Sequence, residues 1–553
     1  MIGLLHGYLL DGSGSNLWTR SIVKSLCRSG QTVHLFCQER RPADYDFVAE
    51  AWVRDAHSEE RLFQRAVDYP GRCVLHRPEI GGILPVYVWD QYEGFQEVVP
   101  MVELTDAQIE AYIDRNVVVV DRVVRSAGIS ALHANHAVLM SVVAERVARS
   151  TGLPYTVMPH GSAIEYAVKK DERFLRYAVD AFRAASRIFV IGDEMRRRLD
   201  SVFGPHIPDL EMRVRELNLG VDTSEFRLVS REERARSIEH IPELIATLPR
   251  GKTPGQSAEL AARIHREMPF PQMHRLMADT ADYTGKAPDA DLEERLHHVD
   301  WRRDPILLFV GRLIAAKGAQ AIIVALPEIL RVRPDSRLIL VGHGPLREPL
   351  EALVWALHRG DRDLALHIAA WGRGLEDAAE GEAAADAEPE PLVEVQAFFD
   401  ALRRDSGLDD YFERAGRLLR PETVLFTGYL KHDELRHLFP CCDVAIFPSL
   451  VAEAGPLVFL EALASGCFPL GTYFAGMAAS IDAVAEALPA GEADWMKLSP
   501  DRATVAADIA RRVPGALERA DAHRDTLRRV AVEQYDWSSV AAKLSTMLET
   551  LSP

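Results

Sequence analysis

The sequence predicts an α/β protein with two doubly wound domains in tandem, each a mostly parallel sheet with helices on both faces. Three observations carry this expectation. Short apolar runs alternate with longer stretches of helical periodicity. That alternation occurs twice, once from residue 2 and again from residue 306. The length of 553 residues also exceeds what one hydrophobic core organises.

Residues 2–6 form the first apolar run. The opening MIGLLHGYLL has no basic leader and runs into Asp11-Gly12 instead of a small-residue cleavage site, so it reads as a buried strand and not a signal peptide. Residues 15–29 place Trp18, Ile22 and Leu26 at fourfold spacing, as one helix face requires, and residues 32–37 complete a βαβ unit. Apolar runs at 131–134, 155–158 and 187–191, each followed by a helix-like stretch, extend a sheet with covered faces. The first domain spans 1–225. Residues 226–303 are rich in Arg, Glu, His and Pro without strand signals, and read as a helical linker or insertion.

The second series runs through 306–310, 338–341, 424–427, 444–447 and 467–470, giving a domain over 304–530. Within it, 351–420 reads as a helical excursion from the sheet, and Pro327 is expected to kink or restart its helix. Residues 375–394, dense in acids and alanines and holding Pro389 and Pro391, read as a loop too polar to bury a core. The segment 531–553 reads as a C-terminal helix, with Val540, Leu544 and Leu548 on one face. It is expected to dock on an apolar surface, with a return to the first domain as one option.

Apolar residues make up 48% and charged residues 26% of the chain, the balance of an ordinary globular protein, and no membrane-spanning stretch is predicted. The formal charge of −18 argues against nucleic acid as a partner. Cys27, Cys37, Cys73, Cys441, Cys442 and Cys467 have no zinc-type spacing, and fit reduced, buried thiols in a cytoplasmic protein.

Four segments carry chemistry. Gly311-Arg312-Leu313 and Lys317-Gly318 follow the strand 306–310. Ligands of open α/β sheets sit beyond the carboxyl ends of strands, so Arg312 and Lys317 point towards an anion site, although a solvated surface pair has the same appearance. Glu453-Ala454-Gly455-Pro456-Leu457-Val458 leads from the strand 444–447 into a helix, with Pro456 suited to its first position. Free amides at Leu457 and Val458 would face an anion, while Glu453 and Glu461 would accept from sugar hydroxyls. Gly12-Ser13-Gly14-Ser15-Asn16 is a glycine turn after the first strand, similar to a dinucleotide fingerprint but with Leu17 where a third glycine would fall. Glu39 stands where an acid would read ribose in a dehydrogenase. His160-Gly161, with His133 and His136 at the neighbouring strand end, could line a hydroxyl-binding face or simply pack.

Together, G-R-L-x4-K-G and E-x7-E in one domain, with G-x-G and H-G in the other, resemble glycosyltransferase family 4, the retaining group that includes sucrose-phosphate synthases. The resemblance covers about 1–225 and 304–550. Asn218-Leu219-Gly220-Val221-Asp222 is similar to the family's exit from its first domain, Gly342-His343-Gly344-Pro345 to its G-x-G-P turn, and Gly428-Tyr429-Leu430 to the segment flanking the base. Gly455 and Ala454 depart from the family's usual residues.

The resemblance implies the GT-B fold, two Rossmann-like domains facing across a cleft, and transfer of a hexosyl group from a nucleotide-diphosphate sugar to a hydroxyl acceptor with retention. In that reading Arg312 and Lys317 neutralise the diphosphate, Glu461 holds the ribose, Glu453 holds the donor sugar and His160 contacts it from the other domain. Gly14, Gly311, Gly342, Gly344, Tyr429, Leu430 and the segment Glu453 to Val458 surround the donor, and Ser15, Asn16, His133 and His136 face the acceptor. No metal or other cofactor is implied. A nicotinamide-dependent oxidoreductase, drawing on the glycine turn and Glu39, and a non-catalytic sugar-nucleotide binder are the alternatives.

Overall fold

In the computed structural model, residues 1–11, 14–87, 95–376, 388–453 and 455–551 are described. The chain divides into two compact units: unit 1 comprises Met1–Asp222 with Gln534–Pro553, and unit 2 comprises Thr223–Glu533.

Unit 1 holds strands β1 (Ile2–Leu5), β2 (Thr32–Phe36), β3 (Val48–Arg54), β4 (Glu59–Gln64), β5 (Arg72–Pro78), β6 (Ile83–Val86), β7 (Glu97–Pro100), β8 (Ala131–Asn135), β9 (Tyr155–Met158), β10 (Arg187–Val190) and β11 (Val214–Glu216). Nine of them form one sheet in the order β11-β10-β9-β8-β1-β2-β5-β3-β4, while β6 and β7 pair separately. Only β4 runs antiparallel within that sheet. The chain builds outward from β1 in one direction and returns through β8 in the other, so β1 and β8 flank the topological switch point.

The core of unit 1 shows why the C-terminal segment belongs to it. Helix Gly14–Arg28 buries Trp18, Ile22, Val23 and Leu26 against Val540, Ala541, Leu544 and Leu548 of helix Trp537–Glu549. Val221 N donates to Tyr535 O at 2.7 Å and Trp537 N to Val221 O at 3.2 Å, which fixes the segment's entry.

Unit 2 holds β12 (Ile306–Val310), β13 (Arg337–Val341), β14 (Val424–Gly428), β15 (Val444–Phe447), β16 (Phe468–Thr472) and β17 (Lys497–Leu498), all parallel, in the order β14-β13-β12-β15-β16-β17. Its switch point lies between β12 and β15. Helix Ala319–Val332 runs through the buried Pro327 as one element instead of restarting there. The surrounding core absorbs the one hydrogen bond that the missing amide forfeits.

Two expectations need correction. Of the two alternatives for residues 226–303, linker or insertion, the linker does not hold: the stretch is part of unit 2, and buried charges tie it down. Arg234 bonds Asp443 at 2.7 and 3.3 Å, and Lys252 reaches Glu348 at 2.9 Å and Glu351 at 2.7 Å, every one of these side chains buried. The loop expected over 375–394 holds only in part. Leu375 and Glu376 close helix Arg362–Glu376 and Glu394 lies in the first turn of helix Val393–Arg404, while 388–392 are irregular apart from a bridge between Glu390 and Gly372; Leu375, Leu392 and Glu394 are buried. Apolar anchors at both ends outweigh the acidic average; residues 377–387 between them lie outside the described residues.

Candidate functional site

The carboxyl ends of β12 and β15 bring the predicted donor residues of unit 2 together. Beyond β12 the chain passes Gly311 and the exposed Arg312, makes a 3-10 turn over Ala315–Lys317, and enters helix Ala319–Val332 through Gly318. Gly318 has φ 78°, and a Cβ there would stand 2.1 Å from Pro448 O, so only glycine lets this turn meet the loop after β15. Leu450 N donates to Ala316 O at 2.8 Å and locks the two loops together. Lys317 Nζ and Glu453 Oε1 then meet at 2.7 Å, both partly exposed.

The turn carrying Lys317 is held from behind by the helical excursion. Glu376 accepts from Ala315 N at 3.2 and 3.3 Å, and Gln320 Nε2 donates both to Ala315 O, at 2.7 Å, and to Glu394. No local pattern announces Glu376, Gln320 or Glu394 as supports, since their partner is more than sixty residues away in the acidic cases.

Pro456 proves to be the N-cap of helix Leu457–Ala464, not its first residue. Its fixed φ suits either place, and the first amides inside the helix, Leu457 and Val458, remain those that lack intrahelical partners. Glu453 O accepts from Gly476 N at 2.9 Å, which fixes the residue ahead of this helix start. Glu461, one turn into the helix, is buried. Its Oε1 meets His432 Nε2 at 2.8 Å and its Oε2 is buried without a hydrogen-bond partner. A buried carboxylate oxygen with no partner is a costly arrangement that a ligand hydroxyl would relieve.

Gly342 and Gly344 follow β13. A Cβ on Gly342, at φ 144°, would stand 1.9 Å from Gly311 O, so the two strand exits touch through backbone alone. Leu313 N donates to His343 O at 2.9 Å and Gly342 N to Gly428 O at 2.9 Å, which joins three strand exits into one rim. Tyr429 lies edge-on to His343, ring centroids 5.4 Å apart, and Leu430 is buried behind it. Burial, with Lys286 and Arg312 nearby, lowers the His343 pKa.

Unit 1 presents a different chemistry at its own switch point. His6 follows β1, Asn135 ends β8 with His136 next, and His160 follows β9. His160 Nε2 meets Asn135 Oδ1 at 3.2 Å, and His6 bonds Asn16 Oδ1 at 3.0 Å and Thr19 at 3.1 Å. The His136 ring lies 4.9 Å from His160 and 5.5 Å from His6, and neither of its nitrogens has a hydrogen-bond partner. Desolvation lowers all of these imidazoles, His6 to about 4, His160 to about 3 and His136 well below its ordinary value. The cluster is therefore neutral at pH 7 and offers hydrogen bonds without charge.

The remaining predicted residues divide. His133 is fully buried between Trp18 and Phe189, bonded to Thr156 Oγ1 at 2.8 Å, and packs in the sheet interior instead of facing a ligand. It shares a face of β8 with Asn135, two residues on, but lies deeper in the strand, where Trp18 and Phe189 cover it. Gly14 starts the first helix with open space around it, Ser15 O accepts from Thr19 Oγ1 at 2.8 Å, and Asn16 is buried. Gly12, Ser13 and Ala454 lie outside the described residues. Glu39 has both carboxylate oxygens engaged, with Leu10 N at 3.1 Å, Arg41 N at 2.8 Å and Tyr45 Oη at 3.2 Å, so it holds a loop and is not presented to a ribose. Among the described residues, no three His, Cys, Asp or Glu side chains cluster as a metal site. No described helix is long and apolar enough to cross a membrane.

Residues 406–487, which contain Glu453, Gly455 and Glu461, match the family described as Glycosyl transferases group 1. Alpha-D-kanosaminyltransferase of Streptomyces kanamyceticus is 37% identical over 101 residues, 18% of this chain and 25% of that protein. GDP-mannose-dependent alpha-(1-6)-phosphatidylinositol monomannoside mannosyltransferase of Mycolicibacterium smegmatis is 38% identical over 68 residues, 12% of this chain and 18% of that protein. The matched stretches thus span a quarter or less of these curated relatives. Sucrose-phosphate synthase of Thermosynechococcus elongatus shares the fold over nearly the whole length, with TM-score 0.50 and 15% identity, covering 99% of this chain and 98% of that one. The fold is that of the GT-B glycosyltransferases, with two Rossmann-like units.

Proposed function

We propose that the protein is a retaining, family 4-like glycosyltransferase that moves a hexosyl group from a nucleotide-diphosphate sugar to a hydroxyl acceptor. The observation that carries this reading is the set of groups at the unit 2 switch point: Arg312 and Lys317 beyond β12, Glu453 and the helix start at Leu457 beyond β15, Lys317 paired with Glu453, and Glu461 inside that helix. Cations and free amides suit a diphosphate, and carboxylates beside them suit hydroxyls instead of a second anion. The two stretches of curated likeness belong to transferases of sugars, one of them named as dependent on GDP-mannose, which supports the same class of donor here.

In the transfer, the bond from C1 of the sugar to the diphosphate oxygen breaks with its electron pair going to the diphosphate. The acceptor oxygen bonds C1 on the same face and passes its proton to that departing phosphate oxygen. No enzyme nucleophile enters, in contrast to retaining glycosidases with two carboxyl groups about 5 Å apart. Lys317 and Arg312 stabilise the negative charge growing on the diphosphate, and positioning supplies the rest. His160 and the neutral cluster around His136 are assigned to sugar and acceptor hydroxyls. The reaction needs no metal in this scheme, and the cytoplasm is its assigned location.

The test is incubation with UDP-, GDP- and ADP-sugars while following nucleotide release, with and without candidate acceptors. Release with a new glycoside of retained configuration is expected. Binding without release would leave a non-catalytic sugar-nucleotide binder, and inversion would remove the retaining assignment.

A further inference from the structure

Residues 285–289 come from the region the sequence presents as a linker, yet they run along the exit of β14. Pro288 forms an antiparallel bridge with Gly428, Asp289 N donates to Thr427 O at 2.9 Å, and Tyr429 N donates to Ala287 O at 3.0 Å. A Cβ on Gly285 would stand 3.6 Å from His343 Nδ1, so this strand also touches the turn after β13. Both the G-x-G turn and the Gly428-Tyr429 segment are thus lined by one stretch of backbone from outside the sheet.

Its placement is rigid. Buried Arg347, three residues after Gly344, bonds Asp289 Oδ2 at 2.7 Å and Glu351 Oε1 at 2.7 Å. Lys252 closes the same network through Glu348 and Glu351, and Ala290 N donates to Lys252 O at 2.9 Å. A network of buried, mutually bonded charges is tolerated only in a fixed geometry. Lys286 lies in the turn that leads into this anchored segment and is itself exposed. Among the described residues neither Lys286 nor Arg312 has a carboxylate within ion-pair distance, whereas Lys317 has Glu453. Two exposed cations without acidic partners therefore flank His343 in a protein of net charge −18, and both contribute to its lowered pKa.

We propose that residues 285–289 complete the nucleotide site, with Lys286 binding the phosphate oxygens of a nucleoside diphosphate alongside Arg312. This rests on the donor-site reading given above and extends it to a segment outside the pattern of G-R-L-x4-K-G and E-x7-E. The strand supplies a wall and a charge that the two parallel-sheet exits lack. Because Lys286 is exposed in a turn and takes no part in the buried network, its removal is expected to leave the fold intact.

The test is calorimetric titration of UDP, GDP and ADP into the parent, Lys286→Ala and Lys286→Arg, at low and at about 0.5 M salt, with melting temperatures alongside. Removing one close, partly solvated cation weakens binding of the best nucleotide by about fivefold to tenfold. Lys286→Arg is expected to stay within about twofold of the parent, and the gap between parent and Lys286→Ala to narrow at high salt as screening grows. If the parent binds and Lys286→Ala matches it at low salt, the strand is a structural addition only and the inference falls while the donor site stands. A parent that binds none of the three nucleotides overturns the donor site and this inference together. A Lys286→Ala deficit that Lys286→Arg does not restore and salt does not change also counts against a role by charge.

Discussion

Lys317 Nζ and Glu453 Oε1 lie 2.7 Å apart, and the residues that bear them follow β12 and β15, the two strands at which the sheet of unit 2 changes direction. The pair is partly exposed, so it contributes at most about 1 kcal/mol to stability. Its position has chemical consequences out of proportion to that figure. Lys317→Ala and Arg312→Ala are each expected to lower turnover by about a hundred- to thousandfold, the typical cost of losing one preorganised group that stabilises transition-state charge. Arg312→Lys restores part of this, because an ammonium cannot reproduce a two-pronged grip. Turnover, donor affinity and melting temperature measured together check this; near-parental turnover in both alanine variants would remove the pair from catalysis.

The stretch 375–394 is expected to matter for folding and for the cation turn. Leu392→Ala should cost about 2–5 kcal/mol, as truncation of a fully buried leucine does. Glu376→Ala removes the acceptor from Ala315 N and should weaken donor binding through Lys317 while leaving Arg312 in place. Denaturant unfolding and nucleotide titration separate the two effects.

The strands β1, β2, β8 to β10 and β12 to β16 read plainly because each is a short apolar run between polar turns. The pair β3 and β4 did not, since β4 is Glu59-Glu60-Arg61-Leu62-Phe63-Gln64, almost wholly exposed at the sheet edge, and an edge strand needs charge more than apolar alternation. Residues 226–303, without strand signals, read as a helical linker or insertion, and nothing local shows that Arg234 and Lys252 are buried, because their partners Asp443 and Glu348 lie far along the chain. Burial of a charge is decided by a distant carboxylate, which no local window contains. The cations and acids that follow β12 and β15 were readable from strand-end position, whereas their supports, Glu376 and Gln320, were not.

Lys252 itself provides a prediction. Lys252→Met leaves Glu348 and Glu351 buried without their ammonium partner, a loss expected to cost about 3–5 kcal/mol. A triple variant, Lys252→Met with Glu348→Gln and Glu351→Gln, should recover part of it. Urea unfolding of the two proteins makes the comparison, and a single variant as stable as the parent would show the network to be dispensable.

The histidines of unit 1 predict sensitivity to acid. His6 titrates at about 4 and His133 and His160 at about 3 in the folded protein because they are buried, against about 6.5 when unfolded. The unfolded chain therefore binds protons first, so stability is full above pH 6.5 and falls as pH drops through and below 4, by about 3 kcal/mol for His6 and about 5 kcal/mol for each of His133 and His160 once the folded value is reached. His136→Asn, which keeps a residue tolerant of φ 73°, should flatten this dependence. Melting temperatures from pH 8 to pH 4.5 test both statements.

Chelation should leave turnover nearly unchanged, because in the proposed scheme Arg312, Lys317 and the amides of Leu457 and Val458 supply the positive potential at the diphosphate. Abolition by EDTA with restoration by magnesium or manganese would overturn this scheme.

Helix Trp537–Glu549 has a further consequence, one of timing. Its apolar face completes a core whose other side is made of Trp18, Ile22 and Leu26, residues that leave the ribosome more than five hundred positions earlier. During synthesis at about 5–20 residues per second, all of unit 2 emerges while that groove is still uncovered. The first unit to be started is then the last to be finished, and for roughly half a minute or more the nascent chain carries an apolar seam that a chaperone, or a premature stop, would find open.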